Sequence, residues 1–201
     1  MIKTYVKNAD TTSLSERNFS LVPRYRRDKV DRLYHESDKK LSLTAGLIIH
    51  QVLGDGELSL AEFDKPYIKG GREFNLAHSG HFVILSVDGD TPVGCDIERM
   101  RPLDPVRVGK VVFCDNELDK IRGARDKCDV FFTLWTKKEA FIKCIGEGFH
   151  FASRRIDVSS DDNKVEYNGE TYFFKEYMLD EYKIMICSTC NDFAESLEFL
   201  N

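Results

Sequence analysis

The sequence lacks the features that would place it in a specialised structural class. It has no run of about 18 apolar residues, the minimum for a membrane-spanning helix, and its first residues lack the apolar core of a secretion signal. Its 6 cysteines among 201 residues are too sparse for a disulfide-stabilised scaffold. We therefore expect a cytoplasmic protein with reduced thiols and no membrane contact.

The sequence also lacks an excess of positive charge. The chain has 29 Lys and Arg residues against 34 Asp and Glu, a net charge of −5, which argues against a nucleic-acid-binding protein. The hydrophobic share of 42% is typical of a folded protein, and at about 150 residues per domain the length corresponds to one or two domains. Because no glycine-rich phosphate loop or nucleophile-elbow pattern is present, any chemistry must come from other side chains.

The pattern of apolar residues predicts an α+β fold. Apolar residues at helical spacing indicate helices at 37–53 and 129–145, and Gly54 and Gly146 follow them as helix stops. Asn168-Gly169 between two alternating segments predicts a β-hairpin. Further alternating or continuously apolar segments predict strands at 1–6, 74–77, 81–87, 91–98, 156–158 and 182–187.

These elements predict two similar-sized α+β halves, residues 1–92 and 93–201. No Gly/Ser-rich linker separates the halves, so we expect them to pack tightly. The turn signal at residues 88–90 indicates that strand 91–98 returns beside strand 81–87.

A first candidate site is the run G-C-D-I-E at residues 94–98. In a strand, residues two apart face the same side, so Asp96 and Glu98 present two carboxylates together. A hard cation such as Mg²⁺ would relieve their repulsion. The alternative is that one carboxylate is solvated while the other pairs with Arg99 or Arg101.

A second candidate site is the run W-T-K-K-E-A-F-I-K at residues 135–143. On a helix, Trp135, Glu139 and Lys143 are each four residues apart and share one face. The alternative is an ordinary surface ion pair beside a core tryptophan.

Two further segments carry groups that bind anions. Residues 78–80, His-Ser-Gly, read as a turn that offers a ring N–H, a hydroxyl and backbone amides. Residues 24–40 hold seven basic against four acidic side chains, which suits a phosphate-rich ligand. A structural turn and a solvated helix face are the respective alternatives.

Taken together, these segments resemble the 4′-phosphopantetheinyl transferase superfamily, in its larger, surfactin-synthetase-activating type. Residues 94–98 match the family pattern G-x-D-x-E, and residues 135–143 match W-[ST]-x-K-E-[AS]-x-x-K. Residues 74–79 resemble the family pattern F-N-x-S-H-S, and a family G-K-P stands here as D-K-P at residues 64–66. Two signatures in the right order are far more specific than either alone.

The resemblance implies a fold of two α+β halves related by a pseudo-two-fold axis, with the active site in the cleft between them. Family members use coenzyme A and Mg²⁺ to transfer 4′-phosphopantetheine to a serine of an apo acyl or peptidyl carrier protein, and they release adenosine 3′,5′-bisphosphate. We therefore expect a monomeric holo-[carrier protein] synthase.

The resemblance also implies roles for single residues. The metal ligands would be Asp96, Glu98 and Glu139, and catalysis would fall to Glu139, as a possible acceptor of the serine proton, and Lys143, which would reach phosphate oxygens. The residues expected to bind coenzyme A are Arg26, Lys29, Ser42, Lys65, His78 and Lys143.

Two positions depart from the family pattern. Ala77 replaces a serine, which predicts the loss of one phosphate hydrogen bond, about 0.5–1.5 kcal/mol. Asp64 replaces a glycine, which predicts a different orientation of Lys65. Two other functions remain as alternatives, a non-catalytic module that binds coenzyme A or a carrier protein, and a Mg²⁺-dependent phosphohydrolase.

Overall fold

Two four-stranded sheets form the centre of the molecule, and a helix covers the outer face of each. The computed structural model describes residues 1–54, 56, 58–60, 66–148 and 153–201. In these ranges the α-helices are α1 (Glu16–Ser20), α2 (Arg24–Arg32), α3 (Glu36–Leu53), α4 (Pro105–Gly109), α5 (Asp115–Gly123) and α6 (Lys127–Ile145). The strands are β1 (Lys3–Asn8), β2 (Leu58–Leu60), β3 (Pro66–Ile68), β4 (Phe74–Ser79), β5 (Phe82–Val87), β6 (Val93–Arg99), β7 (Lys164–Tyr167), β8 (Glu170–Leu179), β9 (Tyr182–Ser188) and β10 (Glu198–Leu200).

The first sheet has the strand order β10-β1-β5-β4. Its strands pair antiparallel except for β10, which runs parallel to β1. This last strand comes from the predicted second half of the chain and completes the sheet of the first half. On the outer face, Ile48 and Ile49 of α3 pack against Phe74 and Val83, as the apolar stripe of the predicted helix indicates.

The second sheet has the strand order β6-β9-β8-β7 and is antiparallel throughout. The predicted hairpin between strands 81–87 and 91–98 is therefore wrong. Strand β5 is already flanked by β1 and β4, so neither of its edges is free to pair with β6. The chain crosses instead to the second sheet.

An apolar layer lies between the two sheets and includes Val6, Ile84, Ile97 and Ile184. Helix α6 covers the outer face of the second sheet, where Phe141 packs in one cluster with Phe174 and Met185. The order of layers is therefore α3, first sheet, second sheet, α6, which confirms the predicted α+β class.

Several local predictions are confirmed with shifted boundaries. The Asp126 side chain accepts a hydrogen bond from the Asp129 backbone N–H, so α6 begins at Lys127, two residues before the predicted start. Asn168 and Gly169 both have positive φ angles, as a tight hairpin turn requires. One other prediction is wrong, because residues 156–158 form no strand. None of the described helices is both long and apolar enough to cross a membrane.

Candidate active site

The first candidate motif lies on β6, directly beneath α6. A Cβ atom added at Gly94 would lie 2.0 Å from the Ala140 carbonyl oxygen and 2.4 Å from the Cys144 backbone nitrogen. A side chain at this position would therefore push the strand and the helix apart. Because side chains alternate along a strand, Asp96 and Glu98 follow Gly94 on the face toward α6.

Helix α6 supplies the second motif from the opposite side of this contact. Lys143 lies one turn beyond Glu139, and its Nζ is 2.7 Å from Asp96 Oδ1. The second oxygen, Oδ2, is buried and has no hydrogen-bond partner among the described residues. A buried carboxylate oxygen without a donor is costly, so this atom marks a position that a ligand can stabilise.

The carboxylates perturb one another. Burial raises the pKa of Asp96 to about 7, Lys143 opposes this shift, and Glu98 and Glu139 add to it. Burial also raises the pKa of Glu139, with Lys143 opposing the shift and Glu98 adding to it. The three predicted metal ligands thus lie close enough to repel one another.

The sequence did not predict that the Lys143 ammonium pairs with the Asp96 carboxylate. Burial lowers the pKa of its ammonium, but the carboxylate of Asp96, together with Cys95 and Glu139, outweighs this and raises the pKa overall. The side chain points among the carboxylates and supplies their positive charge. About a third of it, 30%, remains exposed.

Glu98 is held by two donors that the sequence did not reveal. Trp135 Nε1 donates to Glu98 Oε1 at 3.2 Å, and Ser79 Oγ donates to Glu98 Oε2 at 3.2 Å. Arg99, considered from sequence as a partner for the site carboxylates, pairs instead with Glu181 at 2.5 Å. The helical spacing of Trp135 and Glu139 indicated that the indole lies near the site, but the same spacing is also expected of a core tryptophan.

Within the described residues, the group of three acidic or thiol side chains whose ligand atoms all lie within 4.8 Å is Cys114, Glu117 and Asp157. This group already has partners, because Glu117 accepts from Lys138 and from two backbone N–H groups. The three site carboxylates are more widely spaced. A shared ion would therefore need a rotamer change or water in its coordination shell, and Mg²⁺ usually retains several waters.

A basic cavity of about 200 Å³ lies on the α3 side of β4. We name it the basic cavity after its Arg26 and Lys29 side chains. Arg26, Lys29, Ser42 and His78, four of the predicted coenzyme A residues, line it. The Arg26 Nε and Ser42 Oγ atoms are buried without hydrogen-bond partners in the described part of the chain. Unsatisfied donors beside basic side chains suit an anionic ligand.

His78 links the basic cavity to the carboxylates. It belongs to β4, as does Ser79, and the turn predicted at 78–80 is formed by Gly80 and His81. Although much of its side chain is exposed, desolvation lowers the pKa of His78, and the positive charges of Lys143, Lys29 and Arg26 lower it further. The two halves of the site are therefore electrostatic neighbours.

The two departures from the family pattern have different outcomes. Ala77 packs in the apolar layer between the sheets with Ile84 and Ile97, on the face of β4 opposite to His78. A hydroxyl at position 77 would enter this apolar layer. Lys65 and Asp64 lie outside the described residues.

The carboxylates of β6 and α6, and a cavity lined by Arg26 and Lys29 together with Asp38 and apolar side chains, are compatible with a phosphorylated substrate. A family model described as the 4′-phosphopantetheinyl transferase superfamily matches residues 92–188. Among similar proteins, 4′-phosphopantetheinyl transferase ffp of Bacillus subtilis is 30% identical, with 93% of this chain and 91% of that protein aligned. This chain belongs to the 4′-phosphopantetheinyl transferase superfamily, as its motifs predict.

Two other relatives show how far the similarity extends. 4′-Phosphopantetheinyl transferase Sfp of Bacillus subtilis strain 168 is 29% identical over 93% of this chain and 91% of its own length. L-aminoadipate-semialdehyde dehydrogenase-phosphopantetheinyl transferase of Xenopus laevis is 25% identical over 77% of this chain and 63% of its own length. The similarity to the bacterial relatives spans both halves of the chain.

Proposed function

We propose that this protein transfers the 4′-phosphopantetheine group of coenzyme A to a serine of an apo acyl or peptidyl carrier protein and releases adenosine 3′,5′-bisphosphate. The observation that carries this proposal is that two consecutive residues of β4 belong to the two regions, because His78 lines the basic cavity and Ser79 donates to Glu98. This arrangement suits a substrate with two separate phosphorylated groups, such as the ribose 3′-phosphate and the pyrophosphate of coenzyme A.

The reaction requires one bond to form and one to break. The serine oxygen forms a bond to the β-phosphorus of coenzyme A, and the bond from that phosphorus to the bridging oxygen breaks. The serine proton is lost to a base, and the bridging oxygen leaves with adenosine 3′,5′-bisphosphate. Catalysis of phosphoryl transfer is mostly positioning and charge neutralisation, so the site must supply positive charge beside the pyrophosphate.

The carboxylates fit a hard divalent cation. Asp96 has a buried oxygen without a donor, and its repulsion by Glu98 and Glu139 needs a positive charge between them. We assign Mg²⁺ to Asp96, Glu98 and Glu139, because it binds oxygen ligands and phosphates together. When bound, it would neutralise charge on the pyrophosphate oxygens.

Lys143 and Glu139 serve the pyrophosphate end of the site. The Lys143 ammonium is partly exposed beside the carboxylates, so it can contact phosphate oxygens there. Glu139 is the candidate acceptor for the serine proton, since burial raises its pKa toward the range in which a base works at neutral pH. The proton would pass to Glu139 directly or through water, although coordination to a cation would weaken this carboxylate as a base.

The basic cavity is assigned to the 3′-phosphate of coenzyme A. Arg26 and Lys29 supply positive charge, and Ser42 and His78 supply hydrogen bonds, to the 3′-phosphate and its neighbours. Lys65 remains assigned to coenzyme A by the motif alone. We further propose that the enzyme acts as a monomer in the cytoplasm, which sedimentation analysis of the purified protein tests for the oligomeric state.

The decisive experiment is a carrier-loading assay. The protein is incubated with coenzyme A, Mg²⁺ and a panel of apo acyl and peptidyl carrier proteins, and intact-mass spectrometry measures the gain of one phosphopantetheine. Carriers whose acceptor serine is replaced by alanine provide the control and should gain nothing. No gain on any carrier would contradict the proposal.

Two supplementary measurements separate the alternatives. Release of the bisphosphate from coenzyme A without any carrier would indicate a phosphohydrolase. Calorimetric binding of coenzyme A without bisphosphate release, with carrier present, would indicate a binding module.

A further inference from the structure

Glu98 is bracketed by donors from two different layers of the molecule. Ser79, at the end of β4 in the first sheet, donates from Oγ to Oε2, and Trp135, in α6, donates from Nε1 to Oε1, both at 3.2 Å. Each carboxylate oxygen of Glu98 therefore has one donor, and the orientation of the carboxylate depends on both neighbouring layers.

The direction of these hydrogen bonds is determined by chemistry. An indole N–H can only donate. The Ser79 oxygen accepts a hydrogen bond from the Arg99 backbone N–H at 3.0 Å, which leaves its own proton free to point at Glu98. Both groups therefore act as donors toward Glu98.

Each donor also leaves acceptor capacity on the oxygen that it contacts. A carboxylate offers about four lone-pair positions, and two donors use two of them. Glu98 is half-buried, so packing alone does not hold its side chain in place. Ordering that side chain therefore has an entropic cost. The two hydrogen bonds reduce that cost in advance of ligand binding.

We propose that Ser79 and Trp135 are positioning residues that hold Glu98 in the orientation in which it binds the metal ion. This inference rests on the proposed function, because it requires a metal at the carboxylates. Partners that orient a metal ligand commonly contribute 10- to 100-fold to metal affinity. Ser79 in addition makes the ligand geometry depend on the contact between β4 and β6.

The test measures metal binding alone, with Mn²⁺ as the probe and electron paramagnetic resonance as the readout. Ser79→Ala removes one donor. Trp135→Phe removes the other and keeps a ring that can stack on Phe131, whose ring centroid lies 6.1 Å away. We expect each variant to bind Mn²⁺ roughly ten-fold more weakly, and Ser79→Thr, which keeps the hydroxyl, to retain most of the affinity.

Two matched controls lose a hydroxyl elsewhere. Ser188→Ala removes a buried donor to the Pro92 carbonyl, and Tyr177→Phe removes a donor to the Ala194 carbonyl. Both should bind Mn²⁺ as the unsubstituted protein does, even if their melting temperatures fall. Equal losses in controls and test variants would overturn the inference, since the effect would then be general destabilisation.

A Glu98→Ala background completes the test. If the two donors act through Glu98, adding Ser79→Ala or Trp135→Phe to Glu98→Ala causes no further loss of Mn²⁺ affinity. Unchanged affinity in both single variants, with normal binding by the unsubstituted protein, would refute the positioning role and leave the proposed function intact. Absence of Mn²⁺ binding by the unsubstituted protein would overturn the metal assignment itself.

Discussion

Helix α6 contributes lysines to two ion pairs that differ in how fully their partners are satisfied. Lys138 and Glu117 are almost completely buried, with 1% and 0% exposure, and lie 2.9 Å apart. Lys138 also donates to two backbone carbonyls, and Glu117 also accepts from two backbone N–H groups. Lys143 and Asp96 are more exposed, at 30% and 8%, and one Asp96 oxygen has no donor among the described residues.

The difference distinguishes a structural ion pair from one that belongs to a binding site. A buried pair whose hydrogen-bonding capacity is fully used has nothing left for a ligand, and its role is to join α5 and α6. In the Asp96–Lys143 pair, the Asp96 Oδ2 atom has no donor among the described residues. The carboxylates of Glu98 and Glu139 are close enough to affect Asp96. Removal of the first pair should therefore destabilise the fold, whereas changes in the second should alter the chemistry of the site.

The largest expected effect is on stability. Lys138→Met leaves the Glu117 carboxylate buried without a counter-charge, so we expect the free energy of unfolding to fall by about 3–5 kcal/mol, measured by urea denaturation. Lys143→Met is the matched control, and its cost should be smaller because Lys143 is 30% exposed and the Asp96 carboxylate, whose pKa is already raised to about 7, can be neutralised by protonation. A loss below about 1 kcal/mol in Lys138→Met would contradict the distinction.

The next effect is on turnover. Glu139→Gln should lower the rate of carrier loading by about 100-fold or more, while coenzyme A affinity, measured by calorimetry, changes little because the basic cavity is intact. Glu147→Gln makes the same chemical change on an exposed residue just beyond α6 and should load carriers at the normal rate. Wild-type rates in Glu139→Gln would show that Glu139 takes no part in the reaction.

A third effect is on the pH dependence of stability. The pKa of Asp96 is raised to about 7 from 3.8, chiefly by burial, so between these values the folded state binds more protons than the unfolded state. Stability must then fall as pH rises through this range. Measured without metal, we expect the unsubstituted protein to lose about 2 kcal/mol more than Asp96→Asn between pH 5 and pH 8; parallel pH profiles would exclude the shift.

The smallest expected effect is at the basic cavity. Ser42→Ala removes a buried hydroxyl that has no partner in the described structure, so the free energy of unfolding should be unchanged or slightly higher. Coenzyme A affinity should fall about five-fold, the equivalent of one hydrogen bond of about 1 kcal/mol. Calorimetry and urea denaturation on the same variant measure both quantities, and a fall in stability without loss of affinity would assign Ser42 a purely structural role.

Features with a local cause could be predicted from the sequence. The apolar stripe of α3 and the Asn168-Gly169 turn depend on neighbouring residues, and both are present in the structure. Asp96, Glu98, Glu139 and Lys143 were identified because short spacings on a strand or a helix place side chains on one face. Family motifs, rather than periodicity, connected these residues to Arg26, Lys29, Ser42 and His78.

Features that depend on distant contacts could not be predicted. The turn residues at 88–90 suggested a hairpin, yet β6 pairs with β9 because β1 and β4 occupy both edges of β5. Trp135 and Ser79 meet at Glu98 from positions 56 residues apart in sequence, and no spacing rule connects them. The pairing of Lys143 with Asp96 likewise depends on how closely α6 approaches β6.

That close approach at Gly94 has a mechanical consequence. With no side chain between them, the backbones of β6 and α6 are in direct contact, and neither can slide or tilt without a clash. The strand and helix that carry the acidic side chains thus form one rigid unit. If the site widens for a bulky substrate, we therefore expect the movement to lie in the layer of α2, α3 and β4, which carries Arg26, Lys29 and His78.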